Sequence, residues 1–490
     1  MNMISRPPVP GLPCKPAKWR MQVPAWLVAA LYLSLPNLLP LLSTRTLGTL
    51  PRGFINLECL LIGAFSVLLP RGAVFLLLWL GLLADFALGV CNGFGFSAQD
   101  LLSALRFVPS LPASRLFEGL AFVALGTLLC AALALVQPPP KQKGWTAVAL
   151  LGCAIVLVSV DILGGQSTFW HTDAALVFYR AERSPVATLA YREIVFRQRE
   201  MKSRSGKDAP VDSASSRAVS FLANPRGAMQ PPNVVLVVVE SWGVPLDSRL
   251  SQALTAPFDD PRIALKYNVS AGAVPFTGHT VPGEARELCQ STIGFGILHA
   301  SPELVKHCLP AFFHARDYQN FAVHGFQGQM FSRSSWYPRL GFDRSWFGPE
   351  LHRMGLPNCI GSWTGVCDSS IAGWIGSELL SKDEDKPKFI YWMTLNSHLL
   401  EPEHPDLPDD GVCATQSALE NSVALCSWFR LVRAVHQSVA QMALIPMARP
   451  TVFILVGDHA PPFGDPKLGA EFSSTQVPYE MLTPVAVSTR

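Results

Sequence analysis

Three apolar runs in the C-terminal half of this chain each stop at side chains able to hold a cation or touch a phosphate. Residues 233–239 run into Glu240, residues 389–395 into Asn396-Ser397-His398, and residues 451–457 into Asp458-His459. A carboxylate together with an Asp-His pair is a donor set suited to a divalent cation. Between the first two runs lies Gly278-His279-Thr280, with Glu284 and Arg286 just beyond. A hydroxyl after a small, flexible segment suits an exposed nucleophile, and the same threonine equally suits a helix N-cap. Taken singly, each residue has a plainer role. Glu240 fits a helix cap or an ion pair, Asp458-His459 before two prolines fits a turn, and His398 fits a hydrogen-bonded loop.

The elements that must gather these groups are strands. Short β-branched runs without polar alternation read as strands buried on both faces, as in a parallel sheet covered by helices. In such sheets ligands collect beyond the carboxyl ends of the strands, where polar groups first emerge from the core. The fold class expected here is therefore an α/β domain with a mixed, largely parallel sheet sandwiched by helices, preceded by a multi-pass α-helical membrane domain.

That membrane domain is read from composition. The chain has 490 residues, is 49% hydrophobic and has a mean hydropathy of +0.27, an average over two unlike halves. Residues 1–165 carry five stretches near bilayer-spanning length, at 23–42, 54–69, 73–90, 116–136 and 145–163. A crossing helix needs roughly 20 apolar residues, and about 17 is the short end, so the second and third are the shortest fits. Pro70-Arg71-Gly72 between them suits a tight helical hairpin. Arg6, Lys15, Lys18, Arg20, Arg71, Lys141 and Lys143 lie on one side, against Arg45, Arg52, Arg106 and Arg115 on the other, a ratio of 7 to 4. Basic loops stay inside, so the N-terminus is expected inside and everything after Leu163 outside. Glu58, Asp85, Glu118 and Asp161 fall in or near the spans, where an exposed charge is costly. Asp85 and Asp161 fit either a lipid-headgroup path or an interface position. A formal net charge of +3 is too small to point to nucleic acid.

The remaining boundaries follow composition. Residues 166–220 form a connector and linker, and residues 221–490 a globular extracytoplasmic domain. Within the connector, residues 169–198 mix aromatics with Arg180, Arg183, Arg192 and Arg197. This suits an amphipathic helix on the membrane surface or an ordinary packed helix. Residues 199–216 read as a solvated linker. The globular part holds six cysteines, an even set that suits disulfides in an exported domain. Pairing sequence neighbours gives Cys289 with Cys308, Cys359 with Cys367, and Cys413 with Cys426.

The ordered set Val238-Val239-Glu240-Ser241-Trp242-Gly243, Gly278-His279-Thr280, Leu395-Asn396-Ser397-His398 and Gly457-Asp458-His459 resembles the alkaline phosphatase superfamily. Within it the chain is similar to the sulfatase-like membrane transferases: lipoteichoic acid synthases, phosphoglycerol transferases of periplasmic glucans, and phosphoethanolamine transferases. Several of these also place about five membrane helices before an extracytoplasmic domain. The resemblance implies an alkaline phosphatase-like fold and Thr280 as nucleophile. It implies Glu240, Thr280, Asp458 and His459 around one divalent cation (Mn, Mg or Zn), and His398 at the transferred phosphate. Residues 324–333 resemble the lipoteichoic acid synthase stretch whose histidine, tryptophan and arginine line the substrate pocket. His324 and Arg333 match it, and Phe331 replaces the tryptophan.

The resemblance further implies a phospholipid donor, a glycan acceptor and a place in the bacterial inner membrane. A threonine hydroxyl is weakly acidic and needs a cation to become a good nucleophile at neutral pH. Arg333 would add a two-pronged phosphate contact, and His398 would move the proton of the leaving or attacking alcohol. The alternative is a sulfatase-like sulfuric ester or phosphodiester hydrolase. The Cys/Ser-x-Pro-x-Arg motif of formylglycine sulfatases does not occur near Thr280. A third reading, a non-catalytic membrane protein that kept the fold, does not account for a complete set of ligands and nucleophile.

Overall fold

The computed structural model describes residues 23–46, 55–94, 101–102, 104–111, 113–136, 138–165, 167–171, 177–181, 183–204, 211–223, 230–276, 278–361, 363–381, 386–398, 411–415, 417–420, 422–463 and 466–485. The N-terminal part is a helical bundle of α1 (Ala25–Thr46), α2 (Leu57–Phe65), α3 (Arg71–Phe94), α4 (Ala113–Leu135) and α5 (Lys143–Leu163). Among the described residues, three helical stretches are long and apolar enough to cross a membrane: Arg71–Cys91, Leu116–Leu135 and Pro140–Leu163. Cys14 and the basic residues ahead of α1 lie outside the described residues.

The second expected span needs correction. Residues 54–69 are apolar throughout, yet α2 has only nine residues, roughly 14 Å at 1.5 Å per residue. Asn56 caps its start by accepting from the Cys59 N–H, and the Ser66 N–H and hydroxyl both close on the Gly63 carbonyl at its end. Polar contacts nevertheless show which helix ends lie together. The Ala25 N–H donates to Gln142, so α1 and α5 start at one end of the bundle. At the other end the Leu57 N–H donates to the Arg183 carbonyl, Arg183 pairs with Asp161 at 2.8 Å, and Arg192 donates to the Cys91 carbonyl. The helices thus alternate in direction, and α2, at nine residues, is too short to cross a bilayer core by itself. Asp161 thus holds the bundle to the connector, and Asp85 accepts from Asn56 within the bundle, both interface roles.

The connector also departs from expectation. It opens as a hairpin of Ser167–His171 with Val177–Ala181, and only then becomes helix α6 (Pro185–Arg204). Glu58 of α2 receives the Ser184 hydroxyl and the Val186 N–H at the start of α6, so the bundle itself caps this helix. The expected solvated linker is partly built in. Ser213 and Ser215 are buried, with the Ser215 N–H and hydroxyl both donating to Glu287.

Seven strands form the central sheet: β1 (Asn233–Val239), β2 (Tyr267–Pro275), β3 (Gln319–His324), β4 (Arg344–Phe347), β5 (Lys388–Met393), β6 (Thr451–Gly457) and β7 (Gln476–Pro484), in spatial order β2-β7-β6-β1-β5-β3-β4. The five strands β6, β1, β5, β3 and β4 pair in parallel, while β7 runs antiparallel to both β6 and β2. β1, β5 and β6 are buried at every residue. Val235, Val237 and Val239 enter one core and Val234, Leu236 and Val238 the other, so alternate side chains feed the two faces. This is the mixed, largely parallel sheet between helices, and burial on both faces explains why the strand sequences show no polar alternation.

All three expected disulfides form, Cys289–Cys308, Cys359–Cys367 and Cys413–Cys426. Cys289 is the last residue of helix α7 (Thr280–Cys289), and Cys367 immediately precedes helix α9 (Asp368–Trp374), with α8 (Arg333–Leu340) between them in the chain.

Candidate active site

Register alone brings two of the expected ligands side by side. β1 and β6 pair Val239 with Gly457, so the next residues, Glu240 and Asp458, leave the sheet together at its carboxyl rim. The Asp458 N–H still donates to the Val239 carbonyl at 3.1 Å, extending the ladder one step. Glu240 is followed by Ser241 with φ 57°, a left-handed conformation that turns the chain sharply off the strand. Gly457 is required on the facing strand, because a Cβ there would overlap the Trp242 carbonyl. β2 points the same way as β6 through its antiparallel neighbour β7. The residues after β2 therefore deliver Thr280, the first residue of α7, to the same rim.

The side chains converge. Ligand atoms of Glu240, Asp458 and His459 all lie within 4.8 Å of one another. Thr280 Oγ1 stands 3.3 Å from Glu240 Oε2 and 3.3 Å from His459 Nε2. The donor chemistry fits a divalent cation. Asp458 Oδ1 accepts the Ser241 and His459 N–H groups at 2.7 and 2.6 Å, while its Oδ2 is buried without a hydrogen-bond partner, with His459 Nε2 at 3.3 Å. His459 Nδ1 lies 2.7 Å from the Ala460 carbonyl, which selects the tautomer protonated there and leaves the Nε2 lone pair facing the carboxylates. Orienting contacts of this kind on a ligand's far atom are what a metal site requires.

The electrostatics agree. Burial, and then the charge of Glu240, push the Asp458 carboxyl up to about 8. Burial opposes ionisation of Glu240 as well, yet the hydrogen bond with His459 and the charges of His398 and His459 hold it well below the usual range. Asp458, which holds a proton when no cation is present, and the ionised Glu240 beside it occupy a place where a cation would release that proton.

Two further strands supply the rest of the rim. β5 leads into Thr394, whose hydroxyl accepts the Glu240 N–H, and Ser397 donates to the Glu240 carbonyl at 2.6 Å. These bonds fasten the loop carrying His398 to the ligand strand. Asp368, at the start of α9, accepts the Leu395 and Asn396 N–H groups from below, and its own N–H donates to Asn396. Asp368 is buried, and its carboxyl is raised to about 7 chiefly by that burial. Such a group stabilises the fold below pH 4, where it is protonated in both states, and the contribution disappears as pH rises through 7. The shift is worth about 4 kcal/mol. Thermal denaturation of cation-free protein is therefore expected to show a falling Tm between pH 4 and 8, and Asp368→Asn should flatten that slope. An unchanged slope would mean that Asp368 is already ionised in the fold.

β3 ends at His324, which leads into the loop of Phe326, Met330, Phe331 and Arg333. Phe331 and Ser332 both adopt left-handed backbone conformations, φ 52° and 54°. Two consecutive non-glycine residues there store strain that the surroundings must hold, here partly through Trp336, which donates to the Phe331 carbonyl. Both His324 nitrogens are engaged, Nδ1 with the Met393 carbonyl and Nε2 with Arg333 Nη1. Burial, with Arg333 beside it, pushes this imidazole down to about 3 and keeps it neutral. Glu240, His279, Thr280, His324, Phe331, Arg333, His398 and His459 line one cleft of ≈ 510 Å³, and Phe326, Met330, Trp363 and Leu395 complete its apolar side.

Glu240, Thr280, His324, Phe331, Arg333, His398 and His459 line this one cleft, and Asp458 completes the ligand cluster at its floor. The sequence does not point to Asp368, Tyr337 or Tyr391, whereas Glu284 and Arg286, like His279, suit groups that support the site from behind. Arg286 is buried, donates to the Gly457 carbonyl at 2.7 Å and pins the ligand turn from behind. The available signal was spacing: residues 280, 284 and 287 lie along one helical face.

A family model described as Sulfatase matches residues 232–484, more than half of the chain. Among solved structures, the chain is similar to a Streptococcus pyogenes phosphoglycerol transferase, GacH, in complex with sn-glycerol-1-phosphate. That match has 15% identity and a TM-score of 0.37, over 59% of this chain and 74% of that chain. The lipoteichoic acid synthase LtaP from Listeria monocytogenes matches at 12% identity and TM-score 0.38, over 60% and 72%. The C-terminal periplasmic domain of EcEptC from Escherichia coli matches at 15% and 0.33, over 53% and 75%. No curated protein sequence matches the chain.

Proposed function

Because this chain belongs to the sulfatase family, we propose that it is a membrane-anchored phosphotransferase. In this reading it moves a phospholipid headgroup, phosphoglycerol or phosphoethanolamine, onto a glycan hydroxyl through a phosphothreonine at Thr280. One observation carries the lipid part. The apolar wall of the cleft, Phe326, Met330 and Leu395, belongs to the same buried cluster as Cys91 of α3 and Phe107 of the short helical turn Leu105–Ser110. Phe107 meets Phe326 at 5.8 Å, and Arg106 donates to the Gln329 carbonyl at 2.8 Å. Leu102 and Leu105 on the same segment are exposed. A donor whose tails stay in the bilayer reaches Thr280 along this wall without leaving apolar surroundings, and anchoring raises its effective concentration.

Glu240, Asp458, His459 and Thr280 would hold one divalent cation. When bound, it supplies the charge that makes the threonine oxygen nucleophilic and draws electron density from the phosphoryl oxygens. The protein's own groups do the rest. Thr280 Oγ1 attacks phosphorus as the bond to the diacylglycerol oxygen breaks, and His398 protonates that leaving alkoxide. In the second half His398 takes the proton of the glycan hydroxyl as it attacks, and Thr280 leaves with its oxygen. Arg333 faces the phosphoryl oxygens throughout. An odd number of crossings from an inside N-terminus, together with three disulfides, supports a catalytic domain outside the bacterial inner membrane.

The test uses the full-length protein with Mn²⁺ and phosphatidylglycerol or phosphatidylethanolamine vesicles, without acceptor. Diacylglycerol release together with a headgroup-phosphate mass increment on the Thr280 peptide is expected, and the increment names the headgroup. Release with no adduct would replace the covalent route by direct hydrolysis. Turnover of aryl sulfate and not of phospholipid would select the sulfatase reading.

A further inference from the structure

Directly beneath the nucleophile lies a buried polar group that the proposed chemistry does not use. Glu284 follows Thr280 by one turn of α7 and has no exposed surface. Its Oε1 accepts from Arg333 Nε at 3.0 Å and Nη2 at 2.6 Å, and its Oε2 accepts from the hydroxyls of Tyr337 at 2.7 Å and Tyr391 at 2.9 Å. A carboxylate has about four acceptor positions, and here all are filled. Arg333 Nη1 meanwhile lies 3.3 Å from His324 Nε2, and that ring is fixed by the Met393 carbonyl. The side-on edge of the guanidinium is therefore consumed, and the edge formed by its two terminal nitrogens is the one left for the cleft.

We infer that Glu284 is a positioning residue that ties Arg333 to the nucleophile helix, so that the end-on edge of the guanidinium is held at a fixed offset from Thr280 Oγ1. The geometry explains why an acidic residue is buried one turn below a nucleophile that attacks an anion. Tyr337 and Tyr391 hold the carboxylate's other oxygen and prevent it from swinging toward the cleft, where it would repel phosphate. His324, neutral and fixed, sets the opposite side of the guanidinium. Phe331, stacked 5.1 Å from the Arg333 Cζ, closes the third side. The orienting set is drawn from α7, α8, β3 and β5, so the arginine is referenced to the same frame as the nucleophile.

The inference rests on the reading of the cleft as a phosphate site, and its test separates the two. Full-length, Mn²⁺-loaded protein is assayed for inorganic phosphate affinity by calorimetry and for kcat and KM on bis(p-nitrophenyl) phosphate. Glu284→Gln keeps size and burial while removing the charge. It is expected to weaken phosphate binding at least about tenfold and to lower kcat/KM at least about 30-fold. In an Arg333→Met background the same change is expected to alter both by less than about twofold, because nothing remains to be positioned. Equal fractional losses in the two backgrounds would show a purely structural carboxylate and overturn the inference. Should Glu284→Gln not fold, Tyr337→Phe with Tyr391→Phe strips Oε2 and leaves the ion pair. A loss of at least about threefold that vanishes with Arg333→Met supports the inference, and an unchanged affinity overturns it. If the wild type shows this coupling yet releases no diacylglycerol from any phospholipid, the transferase reading fails and the role of Glu284 stands.

Discussion

Thr280→Ala protein is expected to fold, bind its cation and release diacylglycerol at least about 10³-fold more slowly than the wild type. The side chain contributes little to stability. Its two polar contacts, to Glu240 and His459, are both 3.3 Å long, and the backbone of α7 starts from His279 without a side-chain cap. Removing one hydroxyl and one methyl at the cleft therefore leaves Val281, Ala285 and Leu288 packed as before. Chemistry, in contrast, loses the hydroxyl oxygen that stands between Glu240 and His459. The comparison is diacylglycerol release at equal protein and Mn²⁺, with circular dichroism and Tm as controls for folding. A variant with normal Tm and more than about a tenth of wild-type turnover would remove Thr280 from the mechanism. Thr280→Ser, which keeps the oxygen, should recover a measurable fraction.

Asp458→Asn separates the cation from the scaffold. The amide oxygen can still accept the Ser241 and His459 N–H groups that now go to Oδ1, so the turn after β6 keeps its shape. The replaced atom is Oδ2, buried and free of hydrogen bonds. An N–H₂ group in its place turns a cation ligand into a donor. Metal content by mass spectrometry is expected to fall from one per chain to below about 0.1, with turnover down by at least about 10³-fold. Stability changes in the opposite sense when no cation is present. In the wild type, burial and Glu240 push Asp458 up to about 8, a shift whose contribution is lost as pH rises through that value. The neutral amide does not incur that loss. At pH 8 without metal the variant should melt no lower than the wild type. Saturating Mn²⁺ should raise the wild-type Tm, with about 2.7 kcal/mol available at a hundredfold excess over Kd, and leave the variant unmoved. Stoichiometric metal in purified Asp458→Asn would place the cation elsewhere.

What could be read in the sequence was whatever a strand imposes locally. Val234–Val239 and Val452–Val456 announce double burial because no polar residue interrupts them, and the rim is wherever the first charged residue follows. Disulfide pairing was less legible: an even count of six cysteines leaves about fifteen connectivities open, and the simplest of them, pairing neighbours along the chain, is the one that forms. Helix length in the membrane part was not legible. Nothing apolar distinguishes residues 54–69 from a spanning segment, and the helix stops because Asn56 and Ser66 bind nearby backbone groups. The braces beneath the site were hidden for another reason. Glu284 with Tyr391, and Asp368 with Leu395, lie 107 and 27 residues apart, and only tertiary packing brings them together. A glutamate inside a helix otherwise looks like a surface residue.

The placement of the cystines bears on how the enzyme must be made. One closes the helix that begins with Thr280, and another stands at the start of the helix that carries Asp368, so two working parts are finished by thiol oxidation. Protein produced in a reducing cytosol would carry the full sequence with both helices untethered. Free thiol beyond that of the five cysteines outside these three bridges is then a gauge of the unusable fraction, and an oxidising secretory host belongs in any plan to purify it.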